Sequence, residues 1–272
     1  MSAEGFTRRE VLFVLGAVAS PQARAAAGLL PGAHIDHVAI AVGDLDKTMA
    51  FYRRLFGTDV LKNVRTSRRY LHLGKRYLGI EPAATGTPAR IDHIGIGIRN
   101  FDQSGTKDML EKAGFQVREG AGDYVKDPDG TPLQIWTEES WKLNQASPEV
   151  SPPQDALFHP RGIYQVSIRV TNLSASIPFY SKLFGDVAPF SKQIGQAVFA
   201  LDQSRIVLDQ TAADRPASIH SFSVVVDSFD AAAVAKVLSQ LGARAELSQD
   251  GSQISFSDPD GIRLSVVVAG KK

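Results

Sequence analysis

Two stretches of the chain alternate apolar residues with polar or small ones: Ile35-Asp36-His37-Val38-Ala39-Ile40-Ala41-Val42 and Ile91-Asp92-His93-Ile94-Gly95-Ile96-Gly97-Ile98. A period of two is that of a strand whose faces meet different surroundings. Both stretches carry a histidine at the same place. After the first, Met49, Tyr52, Leu55 and Phe56 fall on one face of a helix, which Asp44 or Asp46 caps and Gly57 ends. Short alternating runs follow, so each unit reads strand, helix, then three strands.

The pattern repeats. Phe51-Tyr52-Arg53-Arg54-Leu55-Phe56-Gly57 returns as Phe179-Tyr180-Ser181-Lys182-Leu183-Phe184-Gly185, and Asp127-Pro128-Asp129-Gly130 returns as Asp258-Pro259-Asp260-Gly261. Internal repetition of this kind fixes an architecture more firmly than any local propensity. The chain is four βαβββ modules in two pairs, an α+β fold with curved mixed sheets. The domains expected are 32–140 and 161–270. Between them, 141–160 reads as a linker because of Pro148, Pro152, Pro153 and Pro160. The Asp-Pro-Asp-Gly segments read as hairpin turns, since they lack the further spaced oxygens of a calcium loop.

Composition narrows the chemistry. There is no cysteine, which removes disulfides, thiolate metal sites and cysteine nucleophiles. The formal net charge is +1, without a long block of like charge, and this points away from nucleic acid. The first residues combine Arg8 and Arg9, an apolar run and Ala23-Arg24-Ala25. That order reads as a signal peptide of twin-arginine type over residues 1–25. The expectation is an exported bacterial protein, periplasmic or extracellular, with no membrane association after cleavage.

The motifs at 36–42, 51–57 and 127–136 together resemble those of the vicinal oxygen chelate superfamily, which includes glyoxalase I, the bleomycin resistance proteins and the extradiol dioxygenases. The resemblance covers nearly all the chain after residue 32. It implies a glyoxalase-like fold in each half and, in the metal-binding members, one ligand from the first and one from the last strand of each module. In the first half these positions fall on His37, Gly79, His93 and Gln134. The resemblance thus implies a divalent metal ion (zinc, iron, manganese or nickel) held by His37, His93 and Gln134. The family most often has glutamate where this chain has Gly79 and Gln134. Glu81 lies two residues past Gly79 and so on the same strand face. It is a candidate replacement ligand or general base.

Tyr124 is a candidate donor to a substrate oxygen, His72 a candidate acid or base, and Trp136 a candidate pocket wall. In the second half the same four positions are Gln165, Val207, Ser221 and Ser265, which is not a ligand set. His220 stands one residue off, on the opposite face. The resemblance implies a lyase or isomerase acting on a small oxygen-chelating substrate. Two other readings stay open: an extradiol-type ring-cleaving dioxygenase, and a metal-free protein that binds or sequesters a small molecule. Four modules in one chain make a monomer feasible and leave a homodimer possible.

Overall fold

The computed structural model describes residues 28–143, 146–150, 155–189, 195–212 and 215–270. The signal-peptide reading falls outside the described residues. The first half runs β1 (His34–Val42), α1 (Leu45–Phe56), β2 (Val60–Asn63), β3 (Arg69–Leu73), β4 (Arg76–Pro82), β5 (Arg90–Ile98), α2 (Gln103–Lys112), β6 (Arg118–Gly120), β7 (Gly122–Lys126) and β8 (Pro132–Thr137). The second half runs β10 (Pro160–Val170), α3 (Leu173–Phe184), β11 (Ala197–Leu201), β12 (Ser204–Gln210), β13 (Ser218–Val226), α4 (Ala231–Gln240), β14 (Glu246–Leu247), β15 (Gln253–Ser257) and β16 (Arg263–Val268). Between them, a 3-10 turn (Ser140–Leu143) leads into β9 (Ala146–Val150). Among the described residues no helix is long and apolar enough to cross a membrane.

Local chemistry sets the helix ends. Asp44, in extended conformation, accepts from the Lys47 amide and starts α1, while Gly57 at φ 53° closes it in the left-handed region. Gly114 and Gly242 follow α2 and α4 with φ of 86° and 76°, where a β-carbon would be strained.

The first sheet has the order β6-β7-β8-β5-β1-β4-β3-β2-β9, and the second β11-β12-β10-β13-β16-β15-β14. In each, the first strands of two modules lie side by side and antiparallel, β1 with β5 and β10 with β13. The last strand of each module then adds in parallel, so the mixed α+β architecture expected from the repeats is the one observed. The segment read as a linker is partly built into the first sheet. β9 extends it beyond β2, with Pro148 opposite Leu61. An edge strand tolerates proline because only one side of its ladder needs donors.

Alternate residues of both sheets enter one apolar core that spans the halves, with Ile35, Val38, Ile40 and Ile94 on one side and Val166, Ile168, Phe222 and Val224 on the other. The halves also dock reciprocally. The Tyr52 hydroxyl on α1 donates to Asp258 Oδ2 at 3.0 Å, and the Tyr180 hydroxyl on α3 donates to Asp127 Oδ2 at 2.9 Å. The first aspartate of each Asp-Pro-Asp-Gly turn also accepts backbone N–H groups of its own turn. These segments are therefore turns, as expected, and also the sockets for a helix of the other half.

Candidate metal centre

The faces of the first sheet divide sharply. One is apolar and enters the core. The other carries a polar row in continuous register: Arg118, Tyr124, Gln134, Gly95, His37, Tyr77 and His72 on β6, β7, β8, β5, β1, β4 and β3. Residues paired across a ladder share a face. The next row places His93, Ala39, Gly79 and Tyr70 beside it. His37, His93 and Gln134 are each at most 7% exposed, so the sheet encloses this face.

His37 and His93 meet. Their Nε2 atoms are 3.4 Å apart. The opposite nitrogen of each ring is tied down by the preceding residue: His37 Nδ1 donates to Asp36 at 3.2 Å and His93 Nδ1 donates to Asp92 at 3.0 Å. The backbone makes this possible. Asp36 and Asp92 are the extra residues at two bulges in the β1–β5 ladder, where pairing skips from Ile35 to His37 and from His93 to Ile91. A bulge re-aims a side chain that regular pleating would send to the other face.

The carboxylates fix the tautomers. Burial alone would raise the Asp36 carboxyl, but hydrogen bonds from His37 and Ser140 outweigh it and hold the group below the usual range. The hydrogen bond from His93 holds Asp92 at about 2. Burial pushes the His37 imidazole down despite Asp36. A carboxylate can only accept, so both Nδ1 atoms carry the proton and both Nε2 lone pairs point at each other. At 3.4 Å they repel unless a proton or cation joins them. A zinc-like ion about 2.0–2.1 Å from each nitrogen, at a tetrahedral angle, spaces such a pair by about 3.4 Å. Histidines bound to carboxylates through the other nitrogen are the usual metal-ligand arrangement.

Packing holds the pair in place. Tyr77 stacks on His37 with centroids 4.5 Å apart and rings 20° from parallel. The other side of the His37 ring lies over Gly95, where a β-carbon would come within 2.1 Å of it. The Tyr77 hydroxyl contacts Ser140, which also bonds Asp36.

The third donor is neutral. Gln134 donates its amide N–H to the Ala121 carbonyl, and its amide oxygen faces His37. Among the described residues no group of three or more His, Asp or Glu side chains converges on one point. The two imidazole nitrogens have the spacing that one small cation would impose, and the neutral amide of Gln134 lies beside them.

The other expected residues sort by position. Tyr124 lies edge-on to His93 at 6.0 Å under the Arg118 guanidinium, 4.4 Å from its ring. Burial raises its hydroxyl against the pull of Arg118 and Arg68, so it stays protonated and can donate. Glu81 shares this face and acts on Tyr124 through its charge, but it is paired with Arg68. His72 is not brought to the pair: Tyr77 stands between, and the His72 ring packs edge-on against Trp141 at 4.6 Å. Trp136, half-buried, sits in register with Gly97 one step along the Gln134 face. The aspartates, Tyr77, Arg68 and Arg118 were not assigned from sequence. Neither was His34, 2% exposed, whose Nε2 lies over Gly97 without a partner.

The polar row, the paired first-strand histidines and the repeated strand–helix–strand modules resemble the vicinal-oxygen-chelate architecture. Over residues 34–135 the chain matches the model described as Glyoxalase/Bleomycin resistance protein/Dioxygenase superfamily. A lactoylglutathione lyase of Arabidopsis thaliana is 27% identical, aligned over 85% of this chain and 90% of its own length. Among solved structures, the 2,3-dioxygenase LapB from Pseudomonas sp. KL28 superposes with a TM-score of 0.67 at 15% identity, covering 89% of this chain and 94% of that one. A Mn(II)-bound glyoxalase from Novosphingobium aromaticivorans superposes with a TM-score of 0.63 at 15% identity, covering 88% and 83%.

Proposed function

We propose that the first half holds one divalent metal ion between His37 and His93, with the Gln134 amide oxygen as third donor, and acts as a glyoxalase-type lyase or isomerase. The observation that carries this is the pair of Nε2 atoms at 3.4 Å, each ring oriented by its own aspartate. When bound, the ion supplies Lewis-acid stabilisation to two neighbouring oxygens of a small substrate. The chain's own residues do the rest. Tyr124 donates to a substrate oxygen. Arg68 and Arg118 give this end of the face a positive field, which suits an anionic substrate and offsets the uncharged ligand set. Glu81 is the carboxylate on this face that takes up and returns a proton once its pair with Arg68 opens.

A second reading is favoured by Gly79 and Gln134 together, because both positions lack a carboxylate: the same pocket binds an anionic small molecule without metal. Elemental analysis of purified protein, beside a His37→Ala/His93→Ala double variant, decides between them. The metalloenzyme reading expects near-stoichiometric metal that the double variant lacks. Absence of metal after incubation with zinc, iron, manganese and nickel leaves the binding reading. Assays with a hemithioacetal and with catechol then separate isomerase from ring-cleaving chemistry. We also infer that residues 1–25 direct export; cell fractionation of an Arg8→Lys/Arg9→Lys variant tests it, and unchanged export would refute the twin-arginine route.

A further inference from the structure

The second sheet repeats the register of the first with different chemistry. Gln165 stands where His37 does, Ser221 where His93 does and Ser265 where Gln134 does. Across the ladder Gln165 pairs with Arg205 on one side and Ser223 on the other, and Ser223 with Ser265. Arg205 thus takes the place of Tyr77. Gln165, Ser167, Ser221 and Ser265 are buried although they occupy the polar face, so this face is enclosed like its counterpart.

Arg205 is held ready for a partner it does not have. Its Nε donates to Gln165 Oε1 at 2.6 Å, and Gln165 is fixed in turn by donating to Ser167 Oγ at 2.8 Å. The guanidinium lies 4.7 Å from the Tyr164 ring centroid. Among the described residues no carboxylate pairs with Arg205, and neither terminal nitrogen has a hydrogen-bond partner. The neighbouring arginine of this face, Arg263, differs in having Glu246 at 3.5 Å. Arg205 is half-buried; partly burying a charge without a counter-charge is unfavourable, and burial indeed lowers its pKa. An enclosed face needed only for packing would be more stable if apolar.

We propose that this face of the second half binds a small organic carboxylate, gripped by the terminal nitrogens of Arg205, with the serine hydroxyls of the same row as further donors. The guanidinium fork matches a carboxylate's two oxygens. Arg169, Asp209, His220 and Arg263 lie further along this face, where Asp209 pairs with His220 and Glu246 with Arg263, so the single guanidinium of Arg205 beside the serine hydroxyls favours a monoanion over phosphate, whose charge at neutral pH is larger.

The test is thermal unfolding of the full chain in acetate, lactate, phosphate or chloride at matched ionic strength, repeated with Arg205→Met and Arg205→Lys. A carboxylate at ten times its Kd should raise Tm by about 3 °C over chloride. Arg205→Met should abolish that shift, and Arg205→Lys should weaken binding roughly tenfold, since it keeps the charge and loses the fork. In chloride, Arg205→Met should melt at or above the parent temperature, because it removes an uncompensated charge. No carboxylate shift in the parent, a shift that survives Arg205→Met (binding elsewhere), a shift with phosphate alone, or a sharp drop in the Tm of Arg205→Met in chloride (a structural arginine) would each overturn the proposal.

Discussion

Gly95→Ala tests the candidate centre without touching a ligand. The new methyl would lie 2.1 Å from His37 Cε1, 2.2 Å from Nδ1 and 2.6 Å from Nε2. Restoring ordinary contact requires the ring to move by roughly 1 Å or more, whereas metal sites tolerate about 0.2 Å in ligand distance. Tyr77 is stacked against the ring, so the shift also disturbs that contact. Overpacking of this kind costs about 1–3 kcal/mol of stability. The loss of metal affinity should be larger than the 10–100-fold typical of disturbing a supporting residue, because here a ligand itself is displaced. Metal affinity is read by competition with a chelating dye, and folding by circular dichroism on the same sample. Gly79→Ala is the control, since its methyl would meet nothing closer than 3.8 Å. A folded Gly95→Ala protein with parental metal affinity would refute the geometric argument.

Three further predictions follow from other parts of the molecule. Gly79→Glu has room for its β-carbon and restores the carboxylate that the family resemblance implies at this position; metal should bind at least tenfold more tightly by the same dye competition, and unchanged affinity would show that Gly79 does not face the ion. Tyr52→Phe and Tyr180→Phe each remove a buried hydroxyl bonded to a carboxylate of the other half; each should cost about 1.5–3 kcal/mol in urea unfolding, and a change within error would mean that the reciprocal docking is incidental. Burial raises the carboxyls of Asp127 and Asp258 above 3.8. The folded state then holds these protons more tightly than the unfolded one, so their contribution is complete below the unfolded value and is lost as pH rises through the folded values. An Asp127→Asn/Asp258→Asn variant should therefore gain on the parent as pH rises through that window, and a flat difference curve would contradict the assignment.

Much of this fold was legible because it is repetitive. Period-two runs, helix caps and the recurring Phe-Tyr-x-x-Leu-Phe-Gly signature marked the modules, and the equal placement of His37 and His93 marked them as mates. What stayed hidden depends on register and distance. Asp36 and Asp92 stand next to the histidines in sequence, so regular pleating sends them to the other face. Only the bulges bring them back. Gly95 was visible as a glycine in a strand, a pattern that signals close approach by another group. Which group approaches depends on the rotamer of His37. The reach of Arg68 to Tyr124 joins separate modules and has no local signal. The proline count between the halves concealed an edge strand, because composition reports backbone freedom and not the single free side that such a strand needs.

The two halves have kept one register and diverged in what it presents. Their reciprocal docking explains why both are retained. Each Asp-Pro-Asp-Gly turn receives a tyrosine from the other half, so removing either half leaves an ionisable carboxylate without its donor and exposes the shared core. Structural dependence of this kind is insensitive to the polar faces, which look away from the core. The polar faces can therefore differ while the scaffold stays fixed, and those of the two halves do differ. Without such dependence, a half that lacks the paired histidines would be expendable. With it, the polar row of Gln165, Arg205 and Ser265 persists in an enclosed place where its chemistry can be put to another use.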